Sequence, residues 1–175
     1  MQDLRSSATV TNDVALALNA LGQELAVDET NHNASAPVFH VEVEGAPRDL
    51  HPVVRDEVYR IAGEALRNAF RHGDAQHIEI EVRYAERQLR LRLRDDGKGI
   101  DPKLLSDGHE GHYGLRGMRE RAKLLGGKLT IWSERGSGTE VELIIPAAHA
   151  YMPSPGLPRS WLPERFFRKD KERKR

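Results

Sequence analysis

At 175 residues the chain is long enough for one domain with a genuine core and some spare length. Its 27 basic and 27 acidic residues cancel, so no global charge draws it to nucleic acid or to a membrane surface, and the absence of cysteine excludes a disulfide framework or a thiolate metal site. No apolar run approaches the ~18 residues of a membrane helix, and the N-terminus lacks a basic-then-apolar signal pattern, so a soluble, cytoplasmic domain is the expectation.

Val14, Leu18, Leu21 and Leu25 recur at spacings of four, three and four, which predicts a helix over 12–26 with a narrow apolar seam. Asn12 or Asp13 is its candidate N-cap. The seam fits either a helical bundle whose partner is missing or a helix lying on the domain. From 28 to 37 the chain is polar and reads as a linker. Phe39, Val41 and Val43 alternate in a short strand ended by Gly45. Val54, Val58, Ile61, Ala62, Ala65, Leu66, Ala69 and Phe70 then predict a long amphipathic helix stopped at Gly73.

Two period-2 runs follow. Ile78, Ile80, Val82 and Tyr84 alternate with Glu79, Glu81 and Arg83; Leu89, Leu91 and Leu93 alternate with Arg90, Arg92 and Arg94. An antiparallel hairpin turning near Glu86 puts both apolar sets on one face and sets acidic residues beside arginines on the other. After a glycine-punctuated loop, Leu115, Met118, Ala122 and Leu125 mark a shorter helix stopped by Gly126-Gly127. Strands at 128–133 and 139–145 close the pattern, joined by Arg135-Gly136-Ser137-Gly138. The expected fold is α/β, a mostly antiparallel sheet with helices on one face. Beyond 150, Pro153, Pro155, Pro158 and Pro163 forbid regular helix or central strand, and from Arg159 onward eight residues are basic and three acidic. Residues 151–175 are read as an appendage.

Three motifs carry chemistry. Glu64 and Asn68 are four apart on the long helix, a turn apart on one stripe, with Arg71 near it. A carboxylate and a carboxamide so held can orient hydrated Mg²⁺ and a nucleophile; taken alone, such residues are usually just solvated. Asp95-Asp96-Gly97-Lys98-Gly99 places a carboxylate at a strand end, where it can accept a hydrogen bond from an adenine amino group while the glycines let backbone approach the base. Alone it is also an ordinary turn signal. Gly111, Gly114 and Gly117 open a helix whose N-terminal N–H groups suit phosphate, with Arg116, Arg119 and Arg121 as added charge or as a solvated basic face.

The order of these pieces is far more specific than any one of them. Glu-x-x-x-Asn on a helix, a hairpin, Asp-x-Gly-x-Gly, a glycine-rich loop, a helix and Gly-Ser-Gly-Thr before the last strand together resemble the GHKL ATPase superfamily, which includes gyrase, MutL and the histidine kinases. The stretches Arg60–His72 and Gly114–Ala122 are similar to those of sensor histidine kinases of the NarX/DesK type. The ending Pro146–Tyr151 is similar to that of sensors with a periplasmic β-propeller. The likeness spans roughly 37–147.

The resemblance implies a Bergerat-type two-layer sandwich with about three helices on one face and a mobile lid over about 101–113. It implies ATP and Mg²⁺ as ligands. Asn68 would ligate Mg²⁺, and Glu64 would orient the metal's water or act as a base. Asp95 would accept from adenine, with Gly97 and Gly99 beside the base. Gly111, Gly114, Leu115 and Gly117 would form the lid and helix start, Thr139 would lie near Asp95, and His72 would approach phosphate. The chemistry implied is transfer of the γ-phosphoryl group to a histidine, for relay to a response regulator. None of the eight histidines sits on a helix before an acid; only His109 precedes one, Glu110, in a glycine-rich loop. The acceptor is therefore expected on a dimerisation and histidine-phosphotransfer domain of a homodimeric parent, which is itself either cytoplasmic or held at the inner membrane elsewhere in its chain. On this reading 1–36 is the tail of the dimerisation bundle with its linker, 37–150 the catalytic domain and 151–175 the tail. Two alternatives stay open: a serine kinase of anti-sigma-factor type within the same superfamily, and a nucleotide-binding scaffold without transfer activity.

Overall fold

The computed structural model describes residues 13–32, 36–100 and 113–153. Five strands form one sheet in the order β1-β2-β3-β5-β4: β1 Val38–Glu44, β2 His77–Tyr84, β3 Gln88–Asp95, β4 Lys128–Glu134 and β5 Gly138–Pro146. The helices are α1 Val14–His32, α2 Pro52–His72, α3 Tyr113–Leu124 and the short α4 Ala147–Ala150.

The period-2 runs pair as their patterns require. Ile80 lies opposite Leu93 and Val82 opposite Leu91; across the next seam, Leu93 faces Val141 and Leu91 faces Leu143. This register gathers the apolar side chains on one face, where Ile78, Ile80, Leu89, Leu91, Leu93, Leu143 and Ile145 are almost wholly buried. The other face carries the charges, Glu81 between Arg90 and Arg92, and Arg90 against Glu142 at 2.6 Å. The β1–β2 pair is parallel, and α2 supplies the crossover. That connection lays α2 across the apolar face, with Ile61, Ala62, Leu66 and Phe70 buried against it. Pro52 sits at its first turn, where a missing N–H costs nothing.

Of the two readings of the first helix, the structure takes the second. Val14, Leu18 and Leu25 are buried on α2 and β1, and Leu21 packs against the same core. Gly22 lets the Phe39 ring lie directly against the helix; a Cβ there would overlap it. Asp13 is the cap, its Oδ1 accepting from the N–H groups of Ala15 and Leu16 at 2.9 and 3.2 Å, an arrangement worth about 1 kcal/mol. Asn12 lies outside the described residues. Residues 28–32, read as linker from their polarity, continue the helix. Once a helix is started, each further residue adds a hydrogen bond for little cost, so the helix need not stop where the apolar seam does.

The chain end also differs from the reading as an appendage from 151. Tyr151 is buried, its hydroxyl sharing one proton between the carbonyl oxygens of Ala85 and Gln88 at 3.1 and 3.0 Å, while Arg48 stacks 3.7 Å over its ring. The Met152 N–H donates to Asp49 O. The fold thus closes over the β2–β3 turn, and the basic tail lies outside the described residues. Among the described residues, no helix is long and apolar enough to cross a membrane.

Candidate nucleotide site

A cavity of about 580 Å³ opens where the last turns of α2, the end of β3, the start of β5 and the start of α3 converge. Glu64, Asn68 and His72 line it from α2, Asp95 and Gly99 from the β3 end, Gly114 and Leu115 from α3, and Thr139 from β5. Arg67, Arg71 and Lys98 add positive charge to the wall, and Leu93, Met118 and Val141 an apolar floor. Residues far apart in sequence are thus gathered around one volume. Gly97 is buried behind Asp95 and does not itself line the cavity, nor does Gly117, where an added Cβ would meet nothing within 4 Å. Gly111 and, apart from Tyr113, the whole of the lid expected over 101–113 lie outside the described residues. Arg116 and Arg121 pair with Glu120 and Glu57 at 2.8 and 3.1 Å, and none of Arg116, Arg119 and Arg121 lines the cavity.

Asp95 is the notable group. It is 5% exposed, at the last register position of β3, on the apolar side of the sheet. Burial raises its carboxyl pKa above the usual value; hydrogen bonds from the backbone N–H groups of Gly97 and Thr139 act against that rise, and the Asp96 charge adds to it. Among the described residues, no cation is one of the groups that shift it. A carboxylate placed so costs stability unless something else uses it.

The turn after Asp95 is held from both sides. Gly97 abuts the Gly73 carbonyl and Gly99, at φ +70°, the Glu134 carbonyl; a Cβ at either would overlap backbone, which is the physical need for the alternate glycines. The Lys98 N–H donates to Gly73 O at 2.7 Å, so the end of α2 and the turn are stitched together. Asp96 points away from the cavity: its Oδ1 accepts from the N–H groups of Gln76 and His77, both at 2.8 Å, and its Oδ2 meets His77 Nδ1 at 2.7 Å. On the opposite wall Glu64 lies 3.6 Å from Arg67 and leans on Gly114, where a Cβ would overlap its carboxylate.

Ser133, which supports the cavity wall without lining it, is the residue that the motif reading passed over. It is buried at the end of β4, its Oγ within 2.7 Å of Ile100 N, 3.0 Å of Gly138 O and 2.9 Å of Thr139 Oγ1. The signal was present in the alternation: Leu129 and Ile131 occupy the inward phase of that strand, and Ser133 is next in it.

This sandwich, with a buried strand-end aspartate and a Glu and an Asn of α2 lining one glycine-edged cavity, has the architecture of a nucleotide-binding class of domain. The family model "Histidine kinase-, DNA gyrase B-, and HSP90-like ATPase" matches residues 53–149, and the chain belongs to that family. Among curated relatives, the sensor histidine kinase LiaS of Bacillus subtilis is 38% identical over 93 residues, covering 53% of this chain and 25% of that protein. The histidine-protein kinase/phosphatase DegS of the same species is 34% identical over 110 residues, 62% of this chain and 29% of that one. The sensor protein VraS of Staphylococcus saprophyticus is 38% identical over 93 residues, 53% and 26% respectively. The chain therefore spans only about a quarter of the length of these relatives. A histidine kinase domain from the blue-light activated kinase of Erythrobacter litoralis EL346 shares the fold, with a TM-score of 0.60 at 24% identity over 77% of this chain and 61% of the other.

Proposed function

We propose that this chain is the catalytic domain of a sensor histidine kinase, transferring the γ-phosphoryl group of Mg·ATP to a histidine on a dimerisation domain outside it, for relay to a response regulator. The observation that carries the reading is the cavity itself, lined by Asp95 and Thr139 from the strand ends and by Glu64 and Asn68 from α2. Asp95 accepts from the adenine amino group. Gly114 and Leu115 bring the α3 N-terminus to the phosphates, where its free N–H groups favour anions. Arg67, Arg71, His72 and Lys98 surround the same volume with donors.

The residues fit Mg²⁺: Asn68 offers a carbonyl oxygen and Glu64 a carboxylate on one wall, which suits an ion that takes few protein ligands beside phosphate oxygens. When bound, that ion neutralises charge developing on the phosphates. Glu64 stands where it can orient a water or hold a proton. Catalysis is then mostly positioning, with the acceptor nitrogen about 3–3.5 Å from the phosphorus and in line with the leaving oxygen. The names of the relatives favour a histidine acceptor over the serine-kinase alternative. A site with Glu64 and Asn68 both in place speaks against an inert scaffold.

The isolated chain is expected to bind Mg·ATP without labelling itself, and to label a separate protein containing the family's dimerisation helices. Glu64→Ala slows that transfer more than it weakens binding. The assay is incubation with γ-labelled ATP followed by acid and base treatment, since phosphohistidine is acid-labile and phosphoserine is not. Acid-labile label on the isolated chain, or acid-stable label on the acceptor, defeats the assignment.

A further inference from the structure

We propose that Ser133 is a positioning residue that sets the base preference of the site, by holding the hydroxyl proton of Thr139 away from the cavity. The inference rests on the nucleotide reading above and concerns which base edge the site accepts.

The register places Asp95 opposite Thr139, and Thr139 opposite Ser133, in one row on the helix-covered face of the sheet. Each occupies an inward phase that apolar residues fill elsewhere on its strand. Ser133 Oγ has three partners within hydrogen-bond distance: Ile100 N, Gly138 O and Thr139 Oγ1. A serine hydroxyl has one proton and two lone pairs. The Ile100 N–H only donates and the Gly138 carbonyl only accepts. The one assignment that makes all three contacts hydrogen bonds has Ser133 donating to Gly138 O and accepting from both Ile100 N and Thr139 Oγ1.

Thr139 then spends its only proton on Ser133. Toward the cavity its oxygen offers lone pairs alone. Asp95, with its carboxylate held by the N–H groups of Gly97 and Thr139, offers the same. Where such acceptors meet the 6-position of a purine, they receive an amino group and repel a carbonyl oxygen. The row therefore selects a 6-aminopurine over a 6-oxopurine, and Ser133 does so without touching the base. Released from Ser133, the Thr139 hydroxyl is free to turn its proton toward a carbonyl, and the discrimination weakens.

The test is calorimetric binding of ATP and of ITP, its 6-oxo counterpart, to the full 175-residue chain. The wild-type protein is expected to prefer ATP. Ser133→Ala reduces the ATP-over-ITP ratio by about five-fold, the scale of one hydrogen bond. Thr139→Val, which keeps the backbone N–H on Asp95, reduces it similarly, and the double variant goes no further. Ser133→Thr restores the hydroxyl and holds the wild-type ratio. A folded Ser133→Ala protein with the wild-type ratio overturns the proposal; should that variant not fold, an unchanged ratio in Thr139→Val overturns it equally. A wild-type chain that does not bind ATP at all overturns the nucleotide reading instead, and this inference with it.

Discussion

The two faces of the sheet carry charge in opposite ways. On the open face the Glu81 carboxylate lies 2.6 Å from Arg92 and 3.6 Å from Arg90, and Arg90 reaches Glu142 at 2.6 Å. The hydrogen bond that Arg90 donates to Glu142 raises the Arg90 pKa, partial burial acting against it. On the helix-covered face Asp95 is buried on backbone N–H groups, and its pKa moves so that the charged form is disfavoured. Charge met by charge at a part-exposed surface is ordinary structure and contributes little net stability. Charge buried against neutral donors, at the rim of a cavity, is a cost that a ligand can offset.

The largest expected break in this contrast is Asp95→Ala. Loss of a charge-assisted hydrogen bond of about 1.5–3 kcal/mol weakens ATP binding at least ~10-fold. Unchanged affinity for a folded variant, by calorimetric titration, removes Asp95 from the adenine role. Asn68→Ala is expected to weaken Mg·ATP binding by several-fold more than metal-free ATP binding, because the role proposed for Asn68 is to offer an oxygen to the metal rather than to the base. Equal losses with and without Mg²⁺ make Asn68 a structural residue.

The pH dependence sharpens the contrast between neighbours. The raised pKa of Asp95 means that the folded state holds its proton more tightly than the unfolded chain does. Its contribution to stability therefore falls as pH rises from the unfolded carboxylate value of about 4 through the raised folded one. Asp96 behaves oppositely: desolvation would raise its pKa, but hydrogen bonds from His77 and Gln76 together lower it. Its contribution is present above about pH 4 and is lost as pH falls through the lowered folded value. Urea unfolding between pH 3 and 7 is expected to show Asp95→Asn gaining on the wild type with rising pH and Asp96→Asn gaining with falling pH. Parallel profiles for the two variants contradict these assignments.

The smallest effect belongs to the open face. Glu81→Gln leaves ATP affinity unchanged and costs under about 1 kcal/mol of stability, reduced further by salt. A fall in ATP affinity as large as that of Asp95→Ala would show that the two faces are not independent.

Much of this was legible before any coordinates. The alternation from Ile78 to Leu93 sufficed for the hairpin and its two faces, because a period-2 apolar pattern has few other ways to bury itself. The i, i+4 spacing of Glu64 and Asn68 placed them on one stripe of α2, and the structure puts both on the cavity wall. Three things were not legible. The polarity of residues 28–32 gave no sign that α1 continues, since a polar helical turn and a linker have the same composition. Tyr151 followed a short helix with no strong pattern of its own, and its anchorage depends on carbonyls some sixty residues earlier. For Arg116 and Arg121 the sequence left added charge for phosphate and a solvated basic face both open, and only the structure shows each paired with a glutamate and outside the cavity lining.

By itself the sequence determined the kinds of element, the buried side of each strand and the glycines that the turn after Asp95 requires, because these depend on local periodicity and backbone sterics. Only the tertiary structure decided that the α1 seam lies on its own domain, and that Asp95, Thr139 and Ser133 stand in one row. That row exists because β5 pairs with β3 on one side and β4 on the other, and register between strands distant in the chain is set by the packing of the whole inner face, which no single segment encodes.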